Sequence, residues 1–247
     1  MSGEGTPRVS VCMATYEGSR WVTEQLTSIL AELGPRDEVV VVDDASRDDT
    51  LETVRALADP RIRVLAQPRN RGYVRSFESA LLASRGDYVL LADQDDVWVP
   101  GRVQAMCDAL ADHDVVASNL VTLGGPDRIR GPYGQADWRL RSGDSGHRVR
   151  NVLGILAGNR PYYGCAMGVR REVLERALPF PGYLTESHDL WLALYGNLRA
   201  RLLHLDAPTV RRRFHADNTS PSRPRGVVGA LRSRVLLVRC VLTLARR

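Results

Sequence analysis

The chain has 247 residues, 44 % hydrophobic and 26 % charged, enough to bury the core of one large α/β domain or two small ones. Its net charge is +5, with 34 basic residues that are all arginine; with 6 % aromatic residues and no binding motif or stacking pattern, that charge reads as solvated surface, and no nucleic-acid partner is expected. Cys12, Cys107, Cys165 and Cys240 have neither metal-knuckle nor disulfide spacing. That cysteine pattern makes a reducing cytoplasm the expected compartment; the first apolar run, Val9–Met13, is too short for a signal peptide and no stretch is long enough to span a bilayer.

In chain order, Val9–Met13 reads as a strand and Trp21–Leu33 as a helix. Glu38–Val42, Ile62–Leu65 and Tyr88–Leu91 read as further strands, with helices over Thr50–Ala58 and Tyr73–Ser84 between them. A helix over Arg102–Ala111 and a short strand, Val115–Ala117, follow. Continuous apolar strands alternating with helices predict a Rossmann-like, mostly parallel sheet with helices on both faces. Residues 119–150 carry Gly, Arg, Asp, Pro126 and Pro132 without a period and read as a long loop or lid. Then come a helix at Val152–Ala157, the stretch Tyr162–Val169, a helix at Arg171–Ala177, a turn at 179–182, a helix near Asp189–Asn197 and a strand at Arg201–Leu205.

Ligands of such sheets sit beyond the carboxyl ends of the strands. Three polar segments collect there: Ala14-Thr15-Tyr16-Glu17-Gly18, Asp43-Asp44-Ala45-Ser46 and Asp93-Gln94-Asp95-Asp96-Val97-Trp98. The crowded carboxylates of the third repel one another. A hard cation, Mg²⁺ or Mn²⁺, would relieve this and also take substrate phosphates; the other reading is an acidic capping loop ahead of Val99-Pro100. Asp43-Asp44 either accepts the N3–H of a uracil or thymine or caps the helix that starts near Thr50. A phospho-acceptor receiver domain is excluded, because Leu65-Ala66-Gln67-Pro68 supplies no aspartate after the third strand and the chain has no lysine.

With Asp48-Asp49-Thr50, Asn70-Arg71-Gly72 and Ser84-Arg85-Gly86-Asp87, these segments in this order resemble the family 2 glycosyltransferases over roughly residues 8–220. The form of the acidic segment is similar to the rhamnosyltransferase-like branch of surface-polysaccharide synthesis. Tyr163-Gly164-Cys165-Ala166-Met167 resembles the acceptor-side strand, Ser187-His188-Asp189-Leu190-Trp191 the segment carrying the base, and Arg213-Phe214-His215 through Ser220 the closing segment.

The resemblance implies a GT-A fold and an inverting, metal-dependent transfer from a dTDP-, UDP- or GDP-sugar to a glycan or lipid-linked acceptor. It implies donor contacts from Thr15, Tyr16, Glu17, Asp43, Asp44, Arg75, Asp93 and Gln94, metal ligands Asp95 and His215, and Asp189 as base. Acceptor contacts fall on Trp98, Gly164, Cys165, His188 and Trp191. Glu17 stands where asparagine is common, His188 where glutamate is, and Arg75 where a small residue is; Glu186 competes with Asp189 for the role of base. Residues 1–118 are expected to form the nucleotide-sugar half and 119–220 the acceptor half of one domain.

A sugar-phosphate nucleotidyltransferase shares the fold and the acidic site, but Thr15-Tyr16-Glu17-Gly18 is not its Gly-rich basic loop; the non-enzymatic alternative is a basic nucleic-acid-binding protein, suggested by charge alone. Residues 221–247 form a basic amphipathic segment in which Arg232, Arg234 and Arg239 interrupt aliphatic residues and Arg223, Arg225, Arg246 and Arg247 flank them. It reads as a helix lying on the inner membrane face or packed on the domain or a homodimer partner.

Overall fold

The four apolar runs of the first half become parallel strands in a computed structural model, which describes residues 7–125, 129–215 and 226–247. They are β1 (Val9–Thr15), β2 (Glu38–Asp43), β3 (Ile62–Ala66) and β4 (Tyr88–Asp93), side by side as β3-β2-β1-β4. Their residues alternate between two cores, as the period of a strand requires. Cys12, Val40 and Leu91 face one core, Val11, Val41 and Leu90 the other. Helix α3 (Tyr73–Ala83) closes the first core with Phe77 and Leu81, and α1 (Val22–Leu30) closes the second with Leu26 and Ile29. Between β2 and β3 runs α2 (Thr50–Ala56).

Register sets the site. Thr15 pairs with Asp43 and Ala14 with Asp93, so the three polar segments leave the sheet next to one another.

The second half extends the same sheet to eight strands in the order β3-β2-β1-β4-β7-β6-β8-β5. Here β5 is Val97–Trp98, β6 Val115–Leu123, β7 Met167–Arg170 and β8 Leu202–Arg213. β7 runs antiparallel to β4 and β6, β6 is parallel to β8, and β5 is antiparallel to β8. The sheet is therefore mixed, with helices on both faces. α4 (Arg102–Leu110), α5 (Arg148–Ala157), α6 (Arg171–Ala177), α7 (His188–Leu198) and α8 (Val227–Leu244) complete the layers.

Several boundaries differ from the sequence reading. β6 continues to Leu123 and β8 to Arg213 because they pair with each other, with register shifts around Asn119. The Asn119 side chain donates to the carbonyls of Leu140, Leu205 and Asp206 at 2.9–3.0 Å, pinning the supposed loop to the sheet. α5 starts at Arg148 instead of Val152, and Tyr162–Val169 divides into a 3-10 turn at Gly164–Ala166 and β7. Pro126, Ala216–Ser220, Pro221, Arg223, Pro224 and Arg225 lie outside the described residues.

Candidate active site

Beyond the carboxyl ends of β1, β2 and β4 lies a cavity of about 420 Å³, bounded on its far side by the 3-10 turn, the start of α7 and the end of β8. Thr15, Tyr16, Asp44, Asp93, Gln94, Asp95, Gly164, Cys165, His188 and Asp189 all line it. Ten residues singled out from sequence, spread over 175 positions, thus meet in one place.

On one side the segment after β1 is fixed by a clamp. The Tyr16 N–H donates to Gln94 Oε1 at 2.9 Å, and Gln94 Nε2 donates to the Tyr16 carbonyl at 3.0 Å. Asp44 is buried and accepts the backbone N–H groups of Arg71 and Gly72, both at 2.8 Å. Gly72 has φ 84°, where a side chain would be strained. Asp44 therefore shapes the entry to α3 while facing the cavity.

The acidic segment is crowded. Burial, then Asp96 and Asp95, push Asp93 well above the ordinary carboxylate range. Burial, then Asp95, push Asp96 up to about 6, and its Oδ2 has no hydrogen-bond partner among the described residues. Asp95 Oδ2 lies 2.7 Å from His215 Nε2. A cation fits this set, since it would relieve carboxylates that repel one another in their charged forms. Ligand atoms of Asp93, Asp96 and Cys165 lie within 4.8 Å of one another. Burial holds the Cys165 thiol well above its usual range, and sulfur is a poor ligand for Mg²⁺ or Mn²⁺. Asp95 and His215, in contact at 2.7 Å, offer oxygen and nitrogen donors instead, and Asp93 lines the same cavity as Asp95.

Asp189 stands in the first turn of α7, after Ser187 with its left-handed backbone (φ 63°). Burial pushes its carboxyl up to about 6. Its neighbour His188 stacks on Phe77, ring centroids 4.2 Å apart, and neither ring nitrogen has a hydrogen-bond partner among the described residues. Burial lowers His188 to about 3, so the ring is neutral at ordinary pH. Gly164 leaves room for it: a Cβ there would stand 3.1 Å from His188 Nε2.

The structure corrects the placement of six residues. Glu17 is not among the residues that line the cavity; its φ of 48° is a conformation that asparagine adopts more readily. Asp43 lies behind the wall, accepting from Thr15 Oγ1 at 3.1 Å and Ser46 Oγ at 2.6 Å. Arg75 donates to the carbonyls of Phe180 and Pro181 and pairs with Glu78, so it braces the 179–182 turn. Trp98 is buried beneath the Arg102 guanidinium, 4.6 Å from its ring. Trp191 is fully buried, its indole N–H donating to the Ala177 carbonyl. Glu186 accepts from Ser233 of α8 at 2.8 Å and does not line the cavity.

Two residues were missed. Arg212 is the one arginine among the described lining residues, its guanidinium 5.2 Å from the Tyr163 ring centroid. It is hidden in the run Arg211-Arg212-Arg213, where strand alternation sends only the middle side chain to the cavity. Arg102 is fully buried behind the site and donates to the carbonyls of Leu91 and Cys165; an arginine in a helix's first turn carries no sequence signal for this.

A profile of Glycosyl transferase family 2 matches residues 10–178. Among curated proteins, the succinoglycan biosynthesis protein ExoO of Rhizobium meliloti (strain 1021) is 37 % identical over 102 residues, 41 % of this chain and 29 % of that one. The UDP-Glc:alpha-D-GlcNAc-diphosphoundecaprenol beta-1,3-glucosyltransferase WfgD of Escherichia coli is 23 % identical over 190 residues, 75 % of this chain and 69 % of that one. The chain spans less than two thirds of the first curated relatives, 29 % of one and 53 % of another. The fold matches S. aureus TarS 1–349 in complex with UDP-GlcNAc (TM-score 0.66, 19 % identity, 94 % of this chain and 66 % of that one). It also matches the mannosyltransferase PcManGT from Pyrobaculum calidifontis in complex with GDP-Man and Mn²⁺ (TM-score 0.57, 22 % identity, 98 % and 65 %).

Proposed function

Because the chain belongs to glycosyl transferase family 2, we propose that it moves a sugar from a nucleoside diphosphate to a hydroxyl of a glycan or lipid-linked acceptor, inverting the anomeric carbon. One observation carries this reading: Thr15, Tyr16 and Asp44 from the strand ends line the same cavity as Asp189, whose carboxyl burial raises. Names of relatives supply the setting, succinoglycan biosynthesis for one and a diphosphoundecaprenol-linked acceptor for another.

In this reading Thr15, Tyr16 and Asp44 hold the nucleoside, with Asp43 and Gln94 bracing them. Asp93, Asp95 and His215 would hold Mg²⁺ or Mn²⁺, which supplies positive charge for the departing diphosphate. Arg212 adds a fixed cation where the wall is otherwise acidic. Asp189 takes the proton of the acceptor hydroxyl as that oxygen bonds to the anomeric carbon and the bond to the diphosphate oxygen breaks. A carboxyl held at about 6 is ionised at neutral pH yet more basic than a free aspartate. Cys165, whose thiol burial keeps protonated, serves as packing. Residues 1–118 supply the donor side and 119–220 the acceptor side. The form of the acidic segment puts dTDP-rhamnose first among donors to try.

The test is a thermal-shift panel of UDP, dTDP, GDP and CDP, each with and without Mn²⁺. One diphosphate should raise the melting temperature in a metal-dependent way. If none does, the reading fails.

A further inference from the structure

Helix α8 has two apolar faces on opposite sides. Leu237, Cys240 and Leu244 are buried against the body of the protein. Opposite them, Val228, Leu231, Val235, Val238 and Leu242 recur at steps of three and four and are 46–65 % exposed. That spacing makes one continuous stripe along the helix. α5, which packs against α8, exposes Val149 and Leu153 as well. Of eleven exposed large hydrophobic residues in the described chain, seven fall on these two helices, and an apolar patch of this kind marks an interaction surface.

Charge says what covers it. From Gly226 to Arg247 the charged residues are five arginines and no acid. At 3.6 residues per turn, Arg232 and Arg239 border the stripe on one side and Arg234 on the other. Arg239 lies 4.1 Å over the Tyr183 ring and Arg234 donates to the Ala157 carbonyl, whereas Arg232 has no hydrogen bond or ion pair among the described residues. A second copy of the helix would bring arginine rows together with no acidic partner on either side. Lipid phosphates complement them. No helix among the described residues is long and apolar enough to cross a bilayer.

We propose that the outer face of α8 lies flat on an anionic lipid surface, its aliphatic stripe at the acyl boundary and its arginines among the headgroup phosphates. This goes beyond the transfer reaction and does not depend on it.

The test is sedimentation of the full chain with phosphatidylcholine vesicles, with and without phosphatidylglycerol. The chain should pellet with the anionic vesicles, and high salt should release it. Leu231→Glu combined with Val238→Glu should lower vesicle affinity about tenfold or more, and Arg232→Gln roughly fivefold. Leu82→Glu, at an exposed apolar residue on α3, should change nothing. Unaltered melting temperatures would show that each variant folds. A chain that stays in the supernatant with both vesicles overturns the proposal, as does a double variant that binds like the unmodified chain. So does a dimer, seen by light scattering, that the double variant dissolves, since a second copy would then be the occupant.

Discussion

Asp95 Oδ2 and His215 Nε2 meet at 2.7 Å although 120 positions separate them in sequence. In the proposed reading both side chains would hold the divalent cation, the carboxylate through oxygen and the imidazole through nitrogen. His215→Ala is expected to weaken Mn²⁺-dependent binding of a nucleoside diphosphate about tenfold or more while leaving metal-free binding unchanged. Calorimetric titration with and without Mn²⁺ measures both, and equal losses in the two would make the contact structural.

For Asp189 the direction of the pH effect is fixed. A base works ionised, so turnover should rise with pH through about 6 and then level off. Asp189→Asn should cost about 10² to 10⁴ in turnover and flatten that limb, with nucleoside-diphosphate affinity nearly unchanged. Near-normal turnover in this variant would move the role elsewhere.

Arg212 is the arginine that the described cavity wall sets against its acidic residues. Charged hydrogen bonds of such a group contribute about 1.5–3 kcal/mol, so Arg212→Ala should weaken diphosphate binding by roughly tenfold or more. Binding of the bare nucleoside should be untouched. A variant that loses both equally would point to a collapsed pocket instead.

Arg75 gives the opposite pattern. Its donors serve the Phe180 and Pro181 carbonyls, and removing them leaves acceptors in a partly buried turn. Arg75→Ala should cost about 1–3 kcal/mol of stability in denaturant unfolding with unchanged nucleotide affinity. A change in affinity alone would restore it as a donor contact.

Asp96 tests the crowding of carboxylates. Its folded pKa of about 6 lies above the ordinary value of 3.8. Between those values the folded state binds more protons than the unfolded one, so stability falls as pH rises through that window. Asp96→Asn can still accept from the Arg213 N–H, as Asp96 does at 3.0 Å. It should stabilise the metal-free protein at pH 7 by on the order of 2 kcal/mol, with the gain gone near pH 4. Melting curves across pH read this directly, and a destabilised variant at pH 7 would contradict it.

Local patterns carried the first half of the fold. Runs such as Val39–Val42 and Val89–Leu91 specify buried parallel strands, because only a strand covered on both faces hides consecutive apolar residues. The end of each run then fixes where Thr15, Asp44 and Asp93 emerge. Segments near α7 were legible too, since Gly164 and Asp189 each belong to a phrase of several residues.

Which long or aromatic side chains reach the cavity depends on packing between segments far apart in the chain. The family resemblance implies acceptor contacts from Trp98 and Trp191, yet both are core, because β5 pairs with β8 and α7 is buried almost all round. Arg75 and Arg212 exchanged expectations for the same reason: packing between distant segments sets a guanidinium's partners, Phe180 and Pro181 for Arg75 and Tyr163 for Arg212. Around Asn119 the register shifts in the β6–β8 pairing change which alternate residues face inward, so a period of two read from sequence loses its phase there.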